Sequence, residues 1–381
     1  MRWGFLLNRI LILIVLMTSG LFINTGYASC TVNVISNITP MPLQAANITV
    51  GADAPLGTQL MWLTYNMNLT QGGKSWNTVT CTDPRPVMVN YSLSKLPMPL
   101  ASWSPSGAAN GKVYQTNVPG IGVWIHQGVQ GASAVPISKL ATSEYNTAPG
   151  SGCATGKCTV MGNYRRWDVV LIKTGPVSPG TVLGSSLPCV QVNYTNDVNT
   201  AQNMISNTCM TGSVNIVSNT CKTPDVNVNL GKYQVQEFNG KGSTTPWVDT
   251  SIKLTDCPAF HGYNGYGNWY LDAAGTNGPG RPTQNSLELQ FSPVTKVLDS
   301  IQGIIALNER PGSASGVGIQ LAYGTPSSAT PVNLGQSKKY VQAIGSQGDV
   351  TLPLVSRYIQ TESNVTPGSA DGMMKFIINY Y

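Results

Sequence analysis

Gly372-Met373-Met374-Lys375-Phe376-Ile377-Ile378-Asn379-Tyr380-Tyr381 reads as one amphipathic strand. Met374, Phe376, Ile378 and Tyr380 recur at period two and share a face. No turn or returning strand follows in the sequence. A strand this apolar, lying last in its sheet, is expected to present an open edge, and open edges invite pairing with another chain. The plainer alternative is a last strand packed in an ordinary closed sandwich.

Upstream, the composition points the same way. Charged residues are 10% of the 381, with 40 Gly and 25 Pro. Few charges and short Val/Ile/Tyr/Leu runs between turn-forming residues predict an all-β chain. No long amphipathic helix is visible. The N-terminus predicts a secretory signal over residues 1–28: Arg2 and Arg9, then the apolar run Ile10 to Met17, then Gly26-Tyr27-Ala28 before a cut. The run is too short for a convincing membrane anchor. A lipoprotein cut at Cys30 is the competing reading, disfavoured by Tyr27.

The eight cysteines, an even number in an exported chain, predict disulfides. The expected pairs are Cys30–Cys81, Cys153–Cys158, Cys189–Cys209 and Cys221–Cys257, although the middle four could exchange partners. A zinc site at Cys153/Cys158 lacks further ligands, because His126 and His261 are the only histidines. Neither a metal nor a cofactor is expected.

A boundary is expected near Thr211 to Cys221. Residues 29–219 carry nine Lys/Arg and five Asp/Glu, a net +4, while residues 220–381 carry eleven of each. That excess is too small to argue for nucleic acid and only mildly favours an acidic partner. First-half strands are predicted at Asn47–Val50, Gln59–Tyr65, Thr78–Cys81, Val87–Tyr91, Gly122–His126, Asp168–Lys173 and Val190–Tyr194. Long loops are expected at Gln71–Asn77, Ala101–Lys112 and Gln127–Met161. Second-half strands are predicted at Val226–Leu230, Val248–Leu254, Leu287–Phe291, Ile304–Leu307, Val317–Tyr323, Val350–Ile359 and Met373–Tyr380.

Catalysis finds little support. His126 closes the apolar run Gly122-Val123-Trp124-Ile125-His126 and suits a structural role, and no nucleophile has an acid–base partner in its setting. An enzyme is not expected. Recognition surfaces favour Trp, Tyr and Arg. Two loop clusters qualify: Trp76 with Trp103 and Asn110, and Asn163-Tyr164-Arg165-Arg166-Trp167-Asp168. Trp76, Trp103, Arg165, Arg166 and Trp167 are the candidate receptor contacts.

The second half resembles the pilin domain of two-domain tip adhesins from chaperone–usher fimbriae. The resemblance rests on Cys221 with Val228-Asn229-Leu230-Gly231, and on Ser251-Ile252-Lys253-Leu254-Thr255-Asp256-Cys257. It also rests on Gly316-Val317-Gly318-Ile319-Gln320-Leu321, Pro331-Val332-Asn333-Leu334-Gly335, Gly368 and the penultimate Tyr380. The first half is similar to the receptor-binding domain of the type 3 fimbrial adhesin at Ala28-Ser29-Cys30, Lys112-Val113-Tyr114, Val118-Pro119-Gly120-Ile121-Gly122-Val123 and Leu171-Ile172-Lys173-Thr174-Gly175. It departs from that relative in Cys153, Cys158, Cys189 and Cys209, and in a longer insertion between Cys257 and Leu287.

The resemblance implies two β-sandwiches. Residues 29–219 would form a lectin-like receptor-binding domain, and residues 220–381 an immunoglobulin-like pilin domain lacking its last strand. It implies that Gly368, Met374, Phe376, Ile378 and Tyr380 serve chaperone and donor-strand binding. The implied partners are a periplasmic fimbrial chaperone, an outer-membrane usher, an adjacent pilin that donates a strand, and a host glycan or matrix protein. With Cys30 so close to the cut, no donor arm is expected, which implies a place at the fimbrial tip. A cap subunit that starts assembly without binding a receptor is the alternative.

Overall fold

The computed structural model describes residues 30–33, 40–67, 70–71, 74–75, 78–81, 87–96, 98–127, 133–140, 158–161, 165–196, 203–272, 277–278 and 282–381. The signal segment, Trp76 and Cys153 lie outside them. The described residues form an all-β structure whose helical turns are single 3-10 turns, such as Gly107–Ala109 and Val235–Glu237.

The first half is built around two strands apolar on both faces. In Gln59–Met67, Leu60, Met61, Trp62, Leu63 and Tyr65 are all buried. In Arg165–Lys173 the same holds from Trp167 to Ile172. Burial on both faces places such strands in a sheet interior, covered above and below. Their sheet runs Ser133–Ala134, Ile121–Gln127, Arg165–Lys173, Gln59–Met67, Asn264–Asp272, Asn277–Gly278. One face packs Met61, Leu63, Tyr65, Trp167, Val169 and Leu171 into the main core, against Ile48, Val89, Val192 and Ile216 of the opposing strands. The opposing layer comprises Ile137–Leu140, Val87–Lys95, Cys189–Asn196 and Asn203–Thr208, beside Gly180–Leu183, Met210–Val217 and Met41–Thr49. The other face carries a smaller apolar patch of Trp62, Val113, Val170 and Ile172, edged by Trp103 and Trp124.

The second half is an immunoglobulin-like sandwich. Val248–Asp249, Leu354–Gln360, Val317–Thr325, Ile304–Ala306 and Val297–Asp299 make one sheet. Lys338–Val341, Ser286–Pro293 and Met374–Tyr380 face it, with Ile252–Cys257 paired to Gly348–Leu352. Its core gathers Ile252, Leu254, Leu287, Leu289, Phe291, Ile305, Leu321, Leu352 and Tyr380. Disulfides join Cys189 to Cys209 and Cys221 to Cys257, as expected. Backbone register sets Cys30 opposite Cys81, whose other neighbour is Cys158.

Three expectations are corrected. Val226–Leu230 is not a strand. It lies alongside the second-half core with Val226 and Val228 exposed, and among the described residues no strand pairs with it. The stretch Gln127–Met161 is not one loop, because Ile137–Leu140 pairs with Val87–Lys95 and Cys158–Met161 with Thr78–Cys81. The insertion after Cys257 does not stay with its own half: Asn264–Asp272 joins the first-half sheet, parallel to Gln59–Met67.

The halves meet at Thr49–Asp53. Thr49 donates its N–H to Gly262 O (3.0 Å) and its hydroxyl to Ala259 O (2.7 Å), and its Oγ1 accepts from His261 N (2.9 Å). Buried Asn285 donates to Thr49 O (2.9 Å) and to Tyr381 O (3.2 Å), and accepts from Gly262 N (2.8 Å). Asp53 N donates to Tyr380 O (3.1 Å), and Tyr380 N donates to Asp53 Oδ2 (2.9 Å). Lys173, 4% exposed, donates to Gly51 O (3.2 Å) and Ala52 O (2.6 Å). Burial lowers its pKa, against the opposing pull of Asp53.

Gly51 is required by this joint. A Cβ there would stand 2.1 Å from Tyr380 O, a backbone atom with no freedom to swing away. Gly51→Ala is expected to destabilise the chain by about 1–3 kcal/mol, the usual cost of overpacking. A thermal melt checks this, and an unchanged Tm would show that the joint does not hold the halves this closely.

Candidate functional site: an open-edged apolar groove

The strand Met374–Tyr380 forms seven register pairs with Ser286–Pro293, from Leu287↔Tyr380 to Pro293↔Met374. Its alternation is realised. Tyr380 is buried in the second-half core, Met374, Phe376 and Ile378 pack against that core, and Lys375 and Ile377 face outward. Burial raises the pKa of the Tyr380 phenol. Among the described residues, no strand pairs with the other edge of Met374–Tyr380. Across from that edge runs the unpaired segment 223–233.

Between the two lies a groove. One cavity, about 370 Å³, is walled by Val226, Val228, Met374 and Phe376 and floored by Ile252, Phe291, Ile305, Ile319, Leu321 and Leu354. A second, about 550 Å³, continues it past Leu230, Tyr233, Val317, Val365 and Gly368, and shares Val228, Leu230, Tyr358 and Ala370 with the first. The floor is formed by residues of the sandwich core. An apolar groove floored by core side chains beside an unpaired backbone edge suits an extended peptide. Main-chain hydrogen bonds would supply affinity and alternate side chains would fill the cavities. A seven-residue strand spans roughly 23 Å at the usual rise, so the groove suits a segment of that length.

Gly368 closes one end of the groove. A Cβ there would meet Ala314 N at 2.4 Å, because the chain crosses the 312–314 backbone with no room for a side chain. Asp371 pins the lip. It accepts from Asn308 Nδ2 (2.7 Å) and pairs with Arg310, while its carbonyl accepts from Asn308 N (2.8 Å). The hydrogen bond from Asn308 holds the Asp371 carboxyl below its ordinary pKa of 3.8, with Arg310 adding to the effect. A lowered folded-state pKa contributes stability above the ordinary carboxylate value, and that stability is lost as pH falls through the folded value. Wild type is therefore expected to exceed Asp371→Asn in urea midpoint at pH 6, with the gap closing below the ordinary carboxylate range. A gap independent of pH would rule out the charge as its source.

The first half holds a second polar feature, wholly buried. On the face bearing Trp62, Asp168 Oδ1 accepts from Trp62 Nε1 (3.0 Å) and from the Thr64 hydroxyl. Asp168 Oδ2 lies 3.5 Å from His126 Nδ1, and both side chains have no exposed surface. Trp62 and Trp124 flank the His126 ring at 4.9 and 4.6 Å. Full burial makes this a structural knot in the sheet.

The candidate receptor contacts do not converge. Trp167 is fully buried in the main core, stacked on Tyr65 at 4.2 Å, and offers a receptor no surface. This corrects its assignment: Trp167 alternates with the outer-face Asp168 and takes the core side. Trp103 is half-buried over Gly57, which bonds to Lys173 O at the joint. Arg165 and Arg166 begin the same nine-residue strand at its far end, roughly 25 Å away at the usual rise. Sequence reasoning missed Thr49, Asp53, Lys173 and Asn285, whose roles depend on which half each one meets.

An all-β chain with an open-edged apolar groove in its second sandwich defines the class, and comparison with known proteins shows what it is similar to. Residues 209–381 match the family model described as fimbrial protein. A curated relative, the uncharacterized fimbrial-like protein YraH of Escherichia coli K12, is 27% identical over 161 residues, 40% of this chain and 75% of its own length. Among solved structures, the CupB6 tip adhesin from Pseudomonas aeruginosa is 13% identical, with 92% of this chain and 95% of that one covered at a TM-score of 0.33. The receptor-binding domain of the adhesin MrkD1P of Klebsiella pneumoniae is 18% identical, covering 51% of this chain and 98% of its own at a TM-score of 0.31.

Proposed function

We propose that this chain is a fimbrial adhesin that enters the fimbria by accepting a strand. The observation that carries this reading is the groove beside Met374–Tyr380, with core residues on its floor and an unpaired backbone edge along one wall. A periplasmic chaperone fills it first, and the outer-membrane usher then exchanges that strand for one from an adjacent pilin subunit. The fimbrial family of residues 209–381 supports the same assembly route and export to the cell surface. Ahead of the groove the chain is folded into a separate sandwich, which suits a subunit at the tip with its first half outermost.

In that arrangement residues 29–219 carry the receptor-binding surface, for a host glycan or matrix protein. Arg165 and Arg166 are its best-placed candidates, since their strand starts at the end remote from the joint, and Trp76 is a third. Trp103, at the joint end, is the weaker member of the set.

Co-expression with a fimbrial chaperone tests assembly: a stable one-to-one complex is expected, and charged substitutions Phe376→Asp or Ile319→Asp in the groove should abolish it. Glycan and matrix-protein arrays probed with that complex test adhesion. Binding lost in Arg165→Ala/Arg166→Ala supports the adhesin. Silent arrays, combined with loss of fimbriae on gene deletion, would favour a cap subunit.

A further inference from the structure

The strand Gln59–Met67 has the side chains of a sheet interior, yet among the described residues of the first half it has a partner on one side only. Leu60, Met61, Trp62, Leu63 and Tyr65 are each at most 3% exposed. Arg165–Lys173 pairs along one edge. The other edge is covered by Asn264–Asp272, in the register Trp269↔Leu63, Tyr270↔Thr64, Leu271↔Tyr65 and Asp272↔Asn66. Asn277–Gly278 then folds back on it. That hairpin arises between Cys257 and Leu287, both in the second-half core. Without it, a long apolar strand would end the sheet with its backbone groups unpaired, the arrangement most prone to wrong pairing.

Two further contacts secure the hairpin at its base. Tyr263 packs against the first-half core. Thr49 and Asn285, both buried, bind Ala259, His261 and Gly262 through four hydrogen bonds, and Asn285 also donates to Thr49 O. The insertion therefore leaves the second half already anchored and reaches across to supply the missing sheet edge.

We propose that residues 264–272 are a strand donor in cis: the second half completes the sheet of the first, and the two halves unfold as one cooperative unit. A subunit whose second half is open to a partner's strand thus closes its own first half with a strand from that same second half. The first half is then no autonomous module, and its order depends on the second half being folded. This goes beyond the adhesin reading, because it holds whatever fills the groove or binds the first half.

Hydrogen exchange on the full chain under native conditions decides the matter. Leu289→Ala removes a side chain from the second-half core, far from the hairpin, and such changes speed unfolding-limited exchange by roughly two orders of magnitude or more. If the halves form one unit, amides of Arg165–Lys173 and Gln59–Met67 speed up by the same factor as those of Val317–Thr325. If only the second-half amides respond, the proposal is overturned. Should Leu289→Ala fail to fold, Ile305→Val gives the same comparison with a smaller factor. Replacing residues 264–272 with Gly and Ser at equal length provides a second arm. It should accelerate the amides of Gln59–Met67 that face away from Arg165–Lys173 more than those of Val317–Thr325. Unaltered protection at Gln59–Met67 there would equally sink the proposal.

Discussion

A chain truncated after Gly372 is expected to leave no folded protein in the periplasm. Met374–Tyr380 supplies seven register pairs to Ser286–Pro293, and its loss bares the edge of the strand carrying Leu287, Leu289 and Phe291. Tyr380 is buried, and Met374, Phe376 and Ile378 cover the same core. Full burial of one such side chain stabilises by about 1.5–3 kcal/mol. Even with three of the four only partly buried, the sum is comparable with the 5–15 kcal/mol that holds a typical domain together. The truncation also removes the Tyr380 and Tyr381 backbone groups that meet Asp53 and Asn285, so the joint loses three hydrogen bonds. Immunoblots of periplasmic extracts would read the outcome. Wild-type amounts of soluble truncated chain would show that this strand is dispensable and would remove the main support for the groove.

Asp168→Ala is expected to be the most damaging single substitution in the first half. The carboxylate accepts from Trp62 and Thr64 and neighbours His126, in a site without exposed surface. Its removal leaves the buried Trp62 and Thr64 donors without their acceptor. Each such loss costs about 1–3 kcal/mol. For a structure of this size that lowers Tm by on the order of 10 °C. Asp168→Asn retains the volume and one acceptor oxygen, and should fall between the wild type and alanine. Differential scanning calorimetry separates the three. Equal melting temperatures would show that the knot is not a determinant of stability.

Much of the second half was legible because its signals are local. Period-two alternation from Met374 to Tyr380 set the face of the last strand, and the hydrophobic runs at Val317–Tyr323 and Leu287–Phe291 marked strands now found at Val317–Thr325 and Ser286–Pro293. The pairing Cys221–Cys257 also followed from the sequence, whereas Cys189–Cys209 was one of the open alternatives among the middle four cysteines. Val226–Leu230 misled for a physical reason. Its alternation is that of a strand, but a strand also needs a hydrogen-bonding neighbour, and composition does not report one. Trp167 misled because a Trp beside two Arg residues resembles a binding surface, whereas its parity with Val169 and Leu171 places it in the core.

The hairpin at 264–278 was hidden differently. Trp269-Tyr270-Leu271 has strand-like residues, but Gly265, Gly267 and the flanking Asn residues gave it the look of a loop. Nothing in a linear chain indicates that its partner is Gln59–Met67, some two hundred residues earlier. The same holds for Thr49, Asp53, Lys173 and Asn285, ordinary polar residues until the halves meet.

By itself the sequence determined the all-β character and the amphipathic strand at Met374–Tyr380, because side-chain periodicity and composition act over a few residues. Tertiary structure alone decided which edge stays open, which strand crosses between the halves and which polar groups are buried, because pairing and burial depend on contacts between segments far apart in the chain.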